Sequence, residues 1–374
     1  MTKQALTPPM GWNAWNYFGR DGITETIMQQ TAQAMADLGF VEAGYRYVNV
    51  DDCWMLPQLA ADGGLVPDPE RFPHGLKALG DYLHARGLLF GLYAGAGVLT
   101  FGGGAGSFGY ERQHARQFAA WGVDLLKYDF GYVAPGNDPS HLFRRMGQAL
   151  RESGRDIVFS GCIADDTVAQ WMRPAGASLW RVANDLTDEW ESILRVARRS
   201  LERNAYAGPG GWNDPDMLVV GLNGQGHHGH LGAGCTRAEY ETHFALWCML
   251  AAPLIMGHDV RATTPETAAI LLTKELIAID QDPLGVAAYE LPTLSDHDWI
   301  LAKPLANGDV ALCAVNESQR TKSMIFSWDY CGWDLHDRVR ARDVLRQEDV
   351  GEFVCGAAVE VEPHACCVWR LTRV

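Results

Sequence analysis

From residue 9 to about residue 260, short apolar or aromatic runs alternate with longer segments of helical period. Eight runs read as strands: residues 10–15, 45–52, 88–94, 125–130, 157–162, 179–185, 206–208 and 254–257. Between the first two, Ile27, Thr31, Met35 and Leu38 fall on one helix face, with Gly39 as the stop. Residues 110–122, 141–153, 190–203 and 238–251 carry the same texture. Eight strand–helix units within ~250 residues point to an α/β fold, a (β/α)8 TIM barrel. Periodicity alone also admits a doubly wound sheet. After Gly285 the texture changes. Runs at 299–302, 310–315 and 366–371 are short, lack a helical period and are separated by turn residues at 307–308 and 329–332. That pattern predicts an antiparallel all-β unit. The expected division is a catalytic barrel over 1–285 and a smaller C-terminal antiparallel β-sandwich over 286–374, joined by the segment 277–285.

Composition narrows the function class. Of the 374 residues, 47% are hydrophobic, which excludes a disordered chain. The charge is −15, with 31 basic against 46 acidic residues, so the cationic footprint that nucleic acid or an anionic membrane surface requires is missing. The one basic cluster, Arg195, Arg198, Arg199 and Arg203, has helical spacing and reads as a solvated helix face. The longest apolar run, 244–256, is broken by Pro253 and falls short of the ~20 residues of a membrane span. It reads as a buried helix running into a buried strand. The N-terminus shows no apolar signal region. Nine cysteines, odd in number and without a CxxC, argue against a zinc site or a disulfide framework. The chain reads as a soluble cytoplasmic protein, with its oligomeric state left open.

Polar chemistry gathers where strands end. Asp51 and Asp52 close the second run, Asp129 the fourth and Asp185 the sixth, while Asp214 and Asp216 follow the seventh. In a barrel those ends converge on one mouth, which Lys127 and Arg181 would share. Each aspartate alone is explained as a helix cap or loop residue; their recurrence at the same end of several strands is not. Trp12, Trp15, Trp54, Trp180 and Trp212 lie in the same segments. Aromatic faces beside paired carboxylates suit a sugar ring, and two carboxylates across one glycosidic bond are the minimal apparatus of glycoside hydrolysis. Lys127, two residues before Asp129 on one strand face, favours an ionised Asp129.

The segments TPPMGWNAW, VNVDDCW, LKYD, WRVAND, YAGPGGWNDPDML, APLIMGHDVR, IAIDQDPLG and VEPHACCVWRL occur in that order from Leu6 to about Leu371. Together they resemble glycoside hydrolase family 27, the α-galactosidases and α-N-acetylgalactosaminidases. The resemblance implies a retaining exo-glycosidase acting on terminal α-D-galactosides, a (β/α)8 barrel with an antiparallel β-domain, a carbohydrate substrate as partner, and neither cofactor nor metal. It makes Asp129 the nucleophile and Asp185 the acid/base. Asp51 and Asp52 would receive the 4- and 6-hydroxyls, Lys127 the 3- and 4-hydroxyls, and Arg181 the 2- and 3-hydroxyls. Trp15, Tyr93, Asp216 and Met217 would complete the wall.

Several positions depart from that family's pattern. Cys162-Ile163-Ala164 stands where a Cys-Glu-Trp places a glutamate near the 2-position. Tyr93-Ala94-Gly95-Ala96-Gly97 lacks an aspartate. KYDFG, with Phe130 and Gly131, replaces KYDNC, and the partner cysteine is replaced near Phe101; Cys53 faces Arg20 in place of its partner. These changes leave open α-N-acetylgalactosaminides or β-L-arabinopyranosides as substrates, and a catalytically weak sugar-binding protein as the rival class. They also leave open whether Asp165 or Asp166 substitutes for the missing glutamate. Two further motifs are decoys. The GxGxxG at 104–109 follows its strand by too many loop residues for a dinucleotide site. His227, His228 and His230 lie in a glycine-rich loop that lacks the fixed fourth ligand of a zinc site.

Overall fold

The structure, a computed structural model, describes residues 5–163, 165–227, 232–293 and 298–374. Eight parallel strands curl into a barrel: β1 (Met10–Asn13), β2 (Tyr47–Val50), β3 (Leu89–Gly95), β4 (Leu125–Asp129), β5 (Val158–Cys162), β6 (Leu179–Arg181), β7 (Trp212–Asp214) and β8 (Leu254–Met256). They are ordered β7-β6-β5-β4-β3-β2-β1-β8. The seam between β7 and β8 is closed by Leu218, whose N–H donates to Ile255 at 2.7 Å and whose carbonyl accepts from Gly257 at 3.0 Å. To reach that position the chain turns through Asp216, at a left-handed φ of 89°. This backbone strain sits at a candidate site residue, as stored strain commonly does.

The intervening helices follow from the sequence pattern. Glu25–Asp37 is capped by the Thr24 hydroxyl, which accepts from Ile27 N–H, and stops at Gly39 with φ 82°. Glu111–Trp121, Pro139–Glu152, Trp190–Leu201 and Arg237–Met249 cover the other expected helices. The long apolar run is the last of these helices passing into β8.

The structure corrects three expectations. The seventh strand is not 206–208 but Trp212–Asp214. Residues Asn204–Tyr206 form a 3₁₀ turn, and Gly208 and Gly211 exchange both backbone hydrogen bonds at 2.8 Å, so a tight turn occupies the expected strand. The sixth strand ends at Arg181, which leaves Asp185 on the following loop. The basic cluster is a solvated face only in part, with Arg195 exposed. Arg203 is buried, Arg199 pairs with Asp166 and Glu202, and Arg198 reaches Glu317 while lying 4.4 Å over the Trp299 ring.

The C-terminal unit is an antiparallel β-sandwich. One sheet runs β14-β13-β16-β11-β10-β9, and β12 pairs with β15 opposite it. The strands are β9 (Tyr289–Glu290), β10 (Asp298–Pro304), β11 (Val310–Asn316), β12 (Lys322–Ser327), β13 (Arg338–Asp343), β14 (Glu348–Val354), β15 (Gly356–Val361) and β16 (Cys366–Arg373). Met324, Phe326, Trp328 and Trp369 fill the space between the sheets. Its other face docks on helix Arg237–Met249: Lys303 Nζ donates to the Cys248 carbonyl at 2.8 Å, and His364 meets Glu239 at 2.7 Å. Among the described residues no helix is long and apolar enough to cross a membrane, and all nine cysteines are free thiols.

Candidate active site

Strand register builds the site in layers. Tyr93 stands level with Lys127 and Ser160, and Gly95 with Asp129 and Cys162. Alternation puts Lys127 and Asp129 on the same, inward face of β4. Over the C-terminal strand ends lies a cavity of about 370 Å³ that gathers all ten expected residues: Trp15, Asp51, Asp52, Tyr93, Lys127, Asp129, Arg181, Asp185, Asp216 and Met217. Cys162 and Ile163 also line it. Asp214 lies beneath, accepting from Asp216 N–H at 2.9 Å.

The half of the pocket made by β1 to β4 is tightly bonded. Asp51 Oδ2 accepts from Lys127 Nζ at 2.8 Å and from Asn13 Nδ2 at 2.7 Å. Asp52 accepts from the N–H groups of Cys53 and Gly102, both at 2.6 Å. Asp129 accepts from the Tyr93 hydroxyl at 2.9 Å and from Phe130 N–H at 2.8 Å. Lys127 therefore bonds Asp51 rather than Asp129. Burial pushes the Asp129 carboxyl above the usual carboxylate range; the Lys127 charge and the hydrogen bonds from Tyr93 and Phe130 oppose this shift without cancelling it. The expectation that Lys127 sets the state of Asp129 is thus only half of the balance, because desolvation is the larger effect.

The other half is held by one cation. Arg181 Nη2 lies 3.0 Å from Asp216 Oδ2 and donates to Asp185 Oδ1 at 3.1 Å. Asp216 is buried and its carboxyl is pushed up to about 6 by desolvation, with Arg181 acting against the shift. Asp185 differs from every other carboxylate here, since its side chain is 85% exposed. The segment after β5 turns its acids away from the cavity. Asp165 accepts from Thr167 N–H at 2.7 Å, and Asp166 is taken by Arg199. Neither replaces the missing glutamate, and Ile163 stands as an apolar wall.

The tryptophan reading was too generous. Trp12, Trp54, Trp180 and Trp212 are fully buried in the core, and only Trp15 borders the cavity. Four of these indoles simply satisfy the burial that large aromatics favour. Conversely, Asn13, Asn16, Phe101, Ala183 and Asn184 escaped the sequence reading. Asn13 ends a strand as the aspartates do, a signal that could have found it. Phe101 sits in a loop whose path no pattern reveals. Asn16 Nδ2 and Arg181 Nε are buried donors without a partner among the described residues, available to a ligand hydroxyl. His227 lies edge-on to the cavity residue Trp15, with ring centroids 5.5 Å apart. His228 and His230 lie outside the described residues. Among the described residues no group of histidine, cysteine and acidic side chains could hold a metal ion.

Comparisons with known proteins agree with this fold. Residues 7–282 match the melibiase family described as Alpha galactosidase A, and 296–371 match the Alpha galactosidase C-terminal beta sandwich domain. Alpha-galactosidase 3 of Arabidopsis thaliana is 40% identical over 372 residues, covering 98% of this chain and 82% of its own. The alpha-N-acetylgalactosaminidase of Gallus gallus is 37% identical over 401 residues, covering 98% and 94%. The crystal structure of alpha-galactosidase I from Mortierella vinacea superposes with a TM-score of 0.93 at 30% identity, covering 99% of this chain and 98% of that one. A TIM barrel with its β-sandwich, the gathered carboxylates and these relatives together make the chain a glycoside hydrolase and a member of the α-galactosidase family, glycoside hydrolase family 27.

Proposed function

We propose that the protein hydrolyses terminal α-D-galactosides with retention, by double displacement at Asp129. The reading rests on the anchoring of Asp129: Tyr93 and Phe130 fix its carboxylate in a pocket that Lys127, Asp51 and the exposed Asp185 also line. An Asp129 oxygen attacks the anomeric carbon as the glycosidic C–O bond breaks, and Asp185 gives its proton to the leaving oxygen. In the second step Asp185 takes a proton from water, which attacks the same carbon and frees Asp129. Asp51, Asp52 and Lys127 hold the 3-, 4- and 6-hydroxyls, and Arg181 with Asn16 supplies donors around the rest of the ring. A floor closed by buried, bonded groups admits one terminal ring, which makes the action exo. The free thiols suit a cytoplasmic enzyme.

A second reading is favoured by Ile163: an apolar wall receives the methyl of a 2-acetamido group, so α-N-acetylgalactosaminides are the alternative glycone. A panel of aryl α-galactosides, α-N-acetylgalactosaminides, β-L-arabinopyranosides and α-glucosides tests both, with product anomers followed by proton NMR. The expected result is fastest turnover of the α-galactoside with an α-configured first product. A β-configured first product removes the double displacement, and binding without turnover of any member makes the protein a lectin.

A further inference from the structure

Beside the pocket mouth lies an exposed apolar ledge that the assigned chemistry does not use. Phe101 lines the pocket yet is 56% exposed, and Tyr132 next to it is 59% exposed. Their rings are 6.1 Å apart and tilted by 56°. Beyond Tyr132 a hollow of about 280 Å³ is lined by Val98, Phe108, Tyr132, Val133 and Ala134. Among the described residues no charged side chain lines that hollow.

The ledge is built, not frayed. Phe101 tops a turn in which Gly103 N–H bonds the Thr100 carbonyl at 3.0 Å, and Arg20 Nη1 bonds the Gly102 carbonyl at 2.7 Å. Gly102 N–H donates to Asp52, so the turn is tied directly to a pocket carboxylate. Tyr132 lies three residues past Asp129 at a left-handed φ of 48°, and its carbonyl accepts from Val98 N–H at 3.4 Å. Gly131 leaves the room the ring needs: a Cβ there would sit 2.9 Å from Phe101 Cδ2. Two aromatic faces held in the open, against their hydrophobic preference, mark a ligand surface.

We infer that Phe101 and Tyr132 form the platform for the leaving group, a neutral pyranose ring whose C–H face stacks on them while the terminal sugar fills the pocket. This rests on the galactosidase reading above. An exo-acting pocket leaves the aglycone at its mouth, and Phe101 belongs to both surfaces. The absence of charge from the hollow's lining selects a neutral ring over an anionic or peptide group.

The test compares kcat/KM on an α-1,6-linked galactosyl-glucose disaccharide with kcat/KM on α-galactosyl fluoride, which has no aglycone ring. In Tyr132→Asn, whose side chain tolerates the left-handed backbone, the disaccharide-to-fluoride ratio should fall about tenfold. Phe101→Leu should lower it similarly, and Tyr132→Phe should restore it, because stacking needs the ring and not the hydroxyl. An unchanged ratio in folded Tyr132→Asn and Phe101→Leu, checked by thermal melting, overturns the platform while leaving the galactosidase reading intact. A ratio that falls equally in Tyr132→Phe overturns stacking in favour of a hydroxyl contact. A wild-type enzyme inert on both substrates removes the galactosidase reading, and the platform with it.

Discussion

The two proposed catalytic carboxylates live in opposite surroundings. Asp129 is on a strand, desolvated and held by two hydrogen bonds, whereas Asp185 is on a loop, 85% exposed and tied to Arg181. The same contrast divides the pocket. The β1–β4 side joins Asn13, Asp51, Asp52 and Lys127 in one network and holds Asp129 through Tyr93 and Phe130, while the side after β5 and β6 presents Ile163, Ala183 and the exposed Asp185. A nucleophile must meet the anomeric carbon at one place, which favours a rigid strand end. An acid/base must reach the leaving oxygen in one step and water in the next, which a solvent-facing loop permits. The difference suggests that specificity is fixed on the rigid side and adjusted on the open one.

The sharpest way to break this contrast is Asp129→Asn, which should lower turnover about 10³- to 10⁵-fold with the fold intact by circular dichroism, since an amide cannot form the glycosyl ester. Asp185→Asn should lose about 10²- to 10⁴-fold on alkyl galactosides and far less on activated aryl galactosides, where protonation of the leaving group matters little. Equal losses on both substrate types would show that the two roles are wrongly divided.

Lys127→Met probes the closed network itself. It strands Asp51 without its cation, and losing one member of a buried pair destabilises by about 3–5 kcal/mol. Asn13 still donates to Asp51, so the lower end applies, read as a fall of several degrees in the thermal midpoint. Ile163→Glu probes the open side. A carboxylate there should raise the preference for galactosides over 2-deoxy-galactosides by roughly 10- to 150-fold through one hydrogen bond to a charged group. No change would mean that Ile163 does not face the 2-position.

The smallest effect concerns pH. The Tyr93 hydroxyl stabilises the ionised form of Asp129, so Tyr93→Phe should raise a carboxyl that burial already holds high. Activity requires the ionised form, and it is lost as pH falls through that pKa. The acid limb of kcat/KM should therefore move to higher pH in the variant. A limb that stays in place would assign it to another group.

Much of the rigid half was legible in the sequence, because it hangs on strands. Asp129 and Lys127 share a face by the period of two, and Asp51 and Asp52 follow directly on β2. The open half was less so. Asp185 was expected at a strand end and lies four residues beyond one, and the choice between Ile163 and Asp165 or Asp166 turned on where two exposed acids find partners. The seventh strand was misplaced because a three-residue strand behind a glycine turn has no period to detect.

Local sequence determined what short-range physics controls: which segments alternate as strands and helices, where helices cap and stop, and which carboxylates end a strand. Tertiary structure alone decided what depends on distant partners. Burial took four tryptophans into the core and left Trp15 at the pocket, and it raised Asp129 against its neighbouring cation. Chain closure through Leu218 put Asp216 under Arg181, and the turn at Thr100–Gly103 carried Phe101 to the pocket mouth. Desolvation and contact are properties of the whole packed chain, so no window of sequence contains them.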